Sequence, residues 1–340
     1  MDQRTLQKRE IGIMLITILS VFIFIFHDDV QSLLPISIHE SDFLVLHTII
    51  ELFSVVVAFV IFLQPWLSYW HGQVRYHLVL GMIFFAVGSF DLVHTFLYKG
   101  MPLLNDPYSV TRATWLWICA RLTESIGLGL AFIDMKSRRV LNPILPFAVV
   151  ATLTFLTIGY IVLVPESLPL LVVEGEGVTP LKYSAEYFIS FVHFIALSII
   201  FTKYTKERNG DMLLLVMAII LILFSELVFT LYKNVFDFDN LLGHLYKFIG
   251  YYFIYRSIFY PQMKEYLLKR REERRIIELK LRKMYDSSRD KGTCPLFRQW
   301  DLGAFLHAPV HLRSESFKQQ AVHSHSQEDF RQNSGGARHH

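Results

Sequence analysis

Cysteine and charge are both scarce in this sequence of 340 residues. The two cysteines, Cys119 and Cys294, are too few for a disulfide framework or a zinc knuckle. Only 19% of the residues are charged, whereas soluble domains average about 25%. Hydrophobic residues make up 53% of the chain. This balance argues against a soluble protein.

Long apolar runs are the main feature of the sequence. Eight runs of about 16 to 24 residues have the length that crosses the hydrocarbon core of a bilayer. The predicted fold class is all-α, a polytopic bundle of eight transmembrane helices, because transmembrane β-strands would instead alternate in short segments. No small-residue cleavage site follows the first run, so we expect a retained helix rather than a signal peptide. The runs are Ile11–Phe26, Phe43–Leu63, Tyr76–Tyr98, Trp115–Ile133, Ile144–Val164, Leu181–Thr202, Met212–Tyr232 and Leu241–Tyr260.

Lysine and arginine are distributed unevenly between alternate loops. They concentrate before the first run, after the fourth and sixth runs, and most strongly from Lys264 through Lys283. The alternate loops are acidic or nearly neutral. Because basic residues accumulate in cytoplasmic loops, the pattern predicts that both termini are cytoplasmic. His39, Glu174 and Asp237 are then predicted in loops on the opposite side.

Ionisable residues interrupt six of the apolar runs, and nearly all of them fall at one predicted depth, in the outer half of the membrane. A charge at mid-membrane costs about 3 kcal/mol on insertion scales, so such groups face the bundle interior or a water-filled cavity. Residues three or four apart share a helix face. The candidate ligand-binding residues are His47, Glu51, Asp91, His94, Tyr98, Lys99, Arg121, Glu124, Glu186, His193, Glu226, His244 and Lys247.

Two interpretations of this polar set are open. The residues could be ion pairs that only pack helices together. Arg121 would then pair with Asp91 or Glu124, and Lys247 with Glu226. Alternatively they line a polar pocket open to the outside, which their common depth favours. Such a pocket could hold an organic or ionic ligand, sense protons, or bind haem or a divalent metal. The sequence requires no cofactor, and the candidate metal ligands are His47, His94, His193 and His244.

One apolar run ends abruptly in the stretch SFDLVHTFLYKGMP, residues 89–102. Pro102 cannot continue a helix, and Gly100 tolerates the positive φ of a C-terminal cap. We expect the helix to end here. A loop over Leu103–Thr114 is predicted to follow as a lid above the polar residues.

Four stretches of the sequence resemble the membrane-associated sensor domain of the third MASE type. They are ELFSVVVAFVIF (51–62), DLVHTFLYKGMP (91–102), WICARLTES (117–125) and HLYKFIGYYFIYRSIF (244–259). The resemblance covers roughly residues 10 to 262, and the His-Thr-x-x-Tyr-Lys-Gly-Met stretch is its most specific part. It implies an integral input module of bacterial signalling proteins, such as two-component systems, in the inner membrane. It also implies that the family's motifs include Glu51, Asp91, His94, Lys99, Arg121, Glu124, His244 and Lys247.

The sequence after the last run departs from this pattern. Pro261 is predicted to break the helix, and Gln262–Tyr285 to form a charged helix with a weak heptad seam. This helix could dimerise the chain and transmit a signal, or it could be a basic segment attracted to anionic lipid. From Asp286 onward no kinase, cyclase or PAS pattern occurs, and about 50 residues are too few for a sizeable core. We therefore expect a disordered tail, 286–340, and an output domain lost by truncation or frameshift.

These expectations combine into one functional prediction. Residues 1–10 are a cytoplasmic N-terminus, residues 11–260 a sensor for an extracytoplasmic or membrane-dissolved signal, and residues 261–285 a juxtamembrane helix. The expected partners are the lipid bilayer, a small unidentified ligand and a second copy of the chain, with neither nucleic acid nor enzymatic activity. The alternatives are a small-solute transporter or channel and a haem- or metal-binding membrane protein. A transporter is disfavoured because no inverted repeat is apparent and the inner halves of the runs lack polar residues.

Overall fold

The computed structural model describes residues 3–27, 29–30, 39–68, 75–103, 106–133, 135, 142–173, 176–232 and 235–290. In these residues the chain is almost entirely helical, which confirms the all-α fold class. A single antiparallel pair of two-residue strands joins β1 (Val172–Val173) to β2 (Gly177–Val178). The long helices are α1 (Gln3–Ile25), α2 (Glu40–Ser68), α3 (Arg75–Phe96), α4 (Ser109–Ile133), α5 (Ile144–Leu163), α6 (Pro180–Glu207), α7 (Gly210–Val228) and α8 (Phe238–Asp290).

Each predicted apolar run falls on one of these helices, and six of them, α2 to α7, are long and apolar enough to cross a membrane. The chain is therefore a multi-pass membrane protein. In the described residues α1 and α8 are not among the six. Both carry charged residues within or beside their apolar stretches. The count of eight spans stays a prediction.

The helices pack around α3, which contacts α2, α4 and α5. Further contacts join α4 to α6, α6 to α7, and α7 to α1. In α5 only Thr154 and Ile161 are buried. Such a helix lies at the periphery, where its many exposed apolar side chains can face lipid, since lipid tails are as apolar as leucine.

One half of the bundle is held together by an apolar layer. Aliphatic and aromatic side chains from neighbouring helices interdigitate in it. These described core residues include no carboxylate, lysine, arginine or histidine. Gly250 lets α8 approach α7 closely, because a Cβ there would lie 2.8 Å from Ile222 and 3.2 Å from the Ala218 carbonyl oxygen. The layer includes Ala58, Ile61, Leu80, Ile83, Phe84, Val87, Leu128, Phe132, Ala196, Ile200, Leu213, Ile219, Ile222, Ile254 and Ile258.

The other end of the bundle is closed by large aromatic side chains. This aromatic cap comprises Phe43, Tyr98, Trp117, Phe229 and Tyr232, all of them buried. Between the cap and the apolar layer lie the ionisable residues of α2, α3, α4, α6, α7 and α8. The fold thus places them in a closed interior rather than on a surface that lipid could reach.

Helix α3 ends at Phe96, and Gly100 adopts the predicted left-handed conformation with φ of 88°. The predicted lid loop is wrong in its second half, because Ser109–Thr114 forms the first turns of α4. Asp106 stabilises this start of the helix: both of its carboxylate oxygens accept hydrogen bonds from Arg112 Nη1 at 2.7 Å. The same hydrogen bonds hold the pKa of Asp106 below its usual value.

Helix α8 continues through Pro261, so the prediction that this proline breaks the helix is also wrong. A proline in a helix interior loses one backbone hydrogen bond and costs about 3 kcal/mol. Helix propagation is cooperative, and the turns on both sides outweigh this single loss. Helix α2 likewise accommodates Pro65.

The chain divides into two compact units, residues 1–263 and residues 264–340. The first contains the helical bundle. In the second, the described part is the last portion of α8, whose side chains from residue 266 to 280 are all exposed. The first five residues of the predicted disordered tail, 286–290, are helical, and the remainder of the tail lies outside the described residues.

Candidate ligand-binding site

Eleven ionisable side chains from six helices form a polar layer in the interior of the bundle. Each is at most 3% exposed. Their helices bring them to one level because α2, α6 and α8 supply residues from their first halves, α4 supplies residues from its middle, and α3 and α7 supply residues near their ends. The layer comprises His47, Glu51, Asp91, His94, Arg121, Glu124, Glu186, His193, Glu226, His244 and Lys247.

Arg121 of α4 is the centre of an ion-pair network. Its Nη2 donates to both carboxylate oxygens of Asp91, at 2.8 and 2.7 Å. Its Nη1 donates to Glu124 one turn along α4 and, at 2.6 Å, to the Tyr251 hydroxyl of α8. The planar guanidinium suits this two-sided bonding. It also lies 4.7 Å from the centre of the Trp117 ring, where burial strengthens the cation–π attraction.

Lys247 of α8 extends the network to α2. Its Nζ lies 2.6 Å from the Glu51 carboxylate and 3.4 Å from Asp91. The possibility that Lys247 pairs with Glu226 is therefore wrong, because the lysine faces α2 and α3 instead. Arg121 pairs with both of the partners that the sequence offered as alternatives, Asp91 and Glu124. A continuous chain of charges thus crosses four helices.

A second buried group lies on α6 and α7. Lys182 Nζ donates to Glu186 one turn further along α6, at 2.7 Å. Glu226 of α7 is completely buried, and neither of its carboxylate oxygens has a hydrogen-bond partner among the described residues. His193 follows on the same helix and is completely buried. Lys182 was not among the sequence candidates, although its spacing of four residues before Glu186 signals a shared face.

Three of the four candidate histidines meet in the polar layer. One ligand nitrogen from each of His47, His94 and His244 lies within 4.8 Å of the other two. The His47 ring centre lies 4.5 Å from that of His244 and 4.1 Å from that of Tyr98. His193 is not part of this histidine triad. The triad unites α2, α3 and α8, so no sequence spacing could have revealed it.

Hydrogen bonds orient two members of the triad. His94 Nδ1 lies 2.7 Å from the Ala113 carbonyl oxygen. His244 Nδ1 lies 2.5 Å from Glu51. In contrast, both ring nitrogens of His47 and Nε2 of His94 are buried without a hydrogen-bond partner among the described residues. Buried polar atoms normally have partners, so these nitrogens indicate a place for something that the chain itself does not supply.

A small cavity borders the triad on the side of the aromatic cap. Its free volume of about 20 Å³ is enough for about one water molecule. Lys99 and Lys182 both line it, which makes the cavity basic. Tyr98 closes one wall, held by a hydrogen bond donated to the Val235 carbonyl and one accepted from Asn240 at 2.8 Å. Asn240, Trp117 and Tyr251 were not among the sequence candidates; Tyr251, four residues after Lys247, could have been found by its spacing.

The family of the chain follows from its comparison with known domains. The family model of MASE3, the membrane-associated sensor domain, matches residues 38–265, which is more than half of the chain. The chain belongs to the MASE3 family. No curated protein and no solved structure matches it significantly. The matched range covers α2 to α7 and the first part of α8, and therefore every residue of the polar layer. Membership in this family makes the protein a sensory input domain in a membrane.

Proposed function

We propose that this MASE3 protein is the input module of a bacterial signalling protein and recognises its ligand in the polar layer, on the histidine side. The observation that carries the proposal is the contrast within that layer. Ion pairs join Asp91, Arg121, Glu51 and Lys247, whereas both ring nitrogens of His47 and Nε2 of His94 have no partner among the described residues, beside a cavity that His94 lines. The ion pairs thus position the site, and the histidines are free to bind.

The signal is proposed to reach a cytoplasmic output domain, a kinase or a cyclase, through the basic helical segment Gln262–Tyr285. The exposed apolar side chains of Leu267 and Ile277 in this segment support pairing with a second copy. A ligand that shifts α8 in the polar layer would displace the same helix in this segment. Transport is less well supported, because the buried charged side chains of the described residues all lie in the polar layer or on its aromatic-cap side.

A fusion protein tests the sensory role. Residues 1–285 are joined in heptad register to a histidine kinase whose output can be measured, and each variant's signal is compared with its abundance in the membrane. We expect Asp91→Asn and His94→Ala to lose response while retaining most of their membrane abundance. Thr154→Val in peripheral α5 is the matched control and should keep both. If the first two variants keep full response, the polar layer serves helix packing and not recognition.

The proposed orientation places both termini in the cytoplasm of the bacterial inner membrane and the polar layer near the periplasmic side. The asymmetric distribution of Lys and Arg supports it. Single cysteines at His39, Glu174 and Asp237, in a chain without Cys119 and Cys294, should react with a membrane-impermeant thiol reagent from the periplasm. Reaction only after the inner face is exposed would contradict the orientation.

A further inference from the structure

The histidine triad has the dimensions of a metal site. Three atoms no more than 4.8 Å apart share a point that is at most about 2.8 Å from each of them. A zinc–nitrogen bond is about 2.0 to 2.1 Å long. Each imidazole therefore needs to move by less than about 1 Å to bind one ion. The three ligands come from α2, α3 and α8, so binding would tie α8 to two helices from the first third of the chain.

The hydrogen bonds around the triad fix the ring nitrogens as a metal requires. The Ala113 carbonyl can only accept a hydrogen bond, so His94 Nδ1 carries the proton and Nε2 presents its lone pair. His244 Nδ1 is engaged by the carboxylate of Glu51, which leaves Nε2 as its ligand atom. Metal-binding histidines commonly direct their second nitrogen to a carboxylate or a backbone carbonyl in this way.

The chemistry of the ligands selects the class of metal. Imidazole nitrogen suits zinc, copper, nickel, cobalt and iron, whereas magnesium and calcium prefer oxygen. The cavity beside His94 and His244 has space for about one water molecule, which can fill a fourth position, but none for a porphyrin. We propose that His47, His94 and His244 bind one divalent first-row transition metal, with a water from this cavity as fourth ligand.

Cobalt binding by the full-length protein in detergent tests the site. The chain is treated with a chelator, loaded with Co²⁺ and dialysed, and bound metal is counted by elemental analysis while visible absorption reports the coordination. We expect one Co²⁺ per chain with the strong d–d absorption of a four-coordinate site. His47→Gln, His94→Gln and His244→Gln should each weaken binding by at least about tenfold.

His77→Gln is the matched control. His77 is a mostly buried histidine of α3 whose Nδ1 also has no hydrogen-bond partner among the described residues, but it lies near the start of the helix, away from the triad. This variant should bind cobalt like the unchanged protein. All variants keep the histidines of the C-terminal tail, such as His323 and His325, so metal held there is common to all of them. Equal binding by the unchanged protein and a triple triad variant would overturn the proposal.

Metal binding by the triad does not depend on the proposed function. Only the further step, that this ion is the ligand sensed by the pocket, rests on it. Binding and signalling are therefore measured separately. Absence of stoichiometric cobalt binding overturns the metal site and leaves the sensor proposal standing. A kinase fusion whose output responds neither to metal nor to substitutions in the polar layer overturns the sensor proposal, and cobalt binding by the triad would still hold.

Discussion

The polar layer and the apolar layer are built from many of the same helices but solve different problems. The apolar layer joins aliphatic and aromatic side chains, and its described core residues bury no charge. The polar layer buries eleven ionisable groups, several of which are costly to hold in a membrane. Packing alone does not require them, because the apolar layer holds its half of the bundle together without them. The apolar layer thus packs without buried charge, whereas the polar layer joins helices through ion pairs and also contains the groups suited to recognition.

A second comparison lies within the polar layer. In the network around Arg121 and Lys247 each cation contacts two carboxylates, and only Arg121 Nε and Glu124 Oε1 have no hydrogen-bond partner among the described residues. The triad of His47, His94 and His244 is open, with nitrogens that no described residue satisfies. Under the proposed function, the ion pairs position the site and the triad binds, so the two hypotheses for the polar residues, packing and pocket, would apply to different members of the set.

The largest loss of stability is expected from breaking the ion-pair network around Arg121. Arg121→Leu leaves Asp91 and Glu124 buried without their cation, which should lower the free energy of unfolding by about 3–5 kcal/mol. Unfolding of the purified protein in mixed micelles measures this. Adding Asp91→Asn to Arg121→Leu removes one stranded charge and should recover part of the loss. A loss below about 1 kcal/mol for the single variant would contradict the network's role.

A cavity in the apolar layer should have a smaller effect and leave recognition intact. Leu80→Ala removes a completely buried side chain and should lower the free energy of unfolding by about 2 kcal/mol. This is near the low end for such cavities, because in the unfolded state the leucine would be surrounded by lipid or detergent rather than by water. Leu130→Ala, at a side chain that is 59% exposed, should cost little. Unfolding and cobalt binding are measured on both variants. If Leu80→Ala is fully folded but no longer binds cobalt, the apolar layer also contributes to the binding site.

The hydrogen bonds that hold Tyr98 in the aromatic cap are expected to contribute less again. Tyr98→Phe removes the hydroxyl that donates to Val235 and accepts from Asn240, which should cost about 1 kcal/mol. Tyr160→Phe removes an exposed hydroxyl that contacts Ser167 and serves as the matched control. Thermal unfolding in detergent compares the two. Equal midpoints for both variants would mean that the cap is not fixed by Tyr98.

The smallest effect is expected at the surface, where Asp106 pairs with Arg112. Because the folded-state pKa of Asp106 is lowered, this pair stabilises the protein fully above the unfolded-state pKa of about 3.9. Its contribution is lost as the pH falls from there through the folded-state pKa. The pair is partly exposed, so it should contribute less than about 1 kcal/mol. Asp106→Asn should lower the midpoint of unfolding at pH 6 and have a smaller effect at pH 2, because the carboxyl group becomes protonated as the pH falls. An equal effect at both pH values would point to lost hydrogen bonding rather than lost charge.

Several features of the protein could be predicted from sequence for a physical reason. A bilayer leaves no solvent for exposed backbone groups, so long apolar runs must be helical. The positions of ionisable residues along those runs then predict a shared depth, and the polar layer contains the predicted residues of six helices. Tyr98 and Lys99 belong to the cavity beside it. The predictions failed at Pro261, where the helical turns on both sides outweigh the loss of one hydrogen bond, and at the start of α4, where Asp106 bonds Arg112.

The sequence by itself determined that the chain is helical, that it enters a membrane, and which residues are too costly to face lipid. Tertiary structure alone decided that Lys247 pairs with Glu51 and Asp91, and that His47, His94 and His244 meet while His193 stays apart. The physical reason is that hydropathy varies along one dimension, whereas partners depend on the rotation and tilt of each helix. Those angles are set by side-chain packing between helices, for which a single sequence contains no local signal.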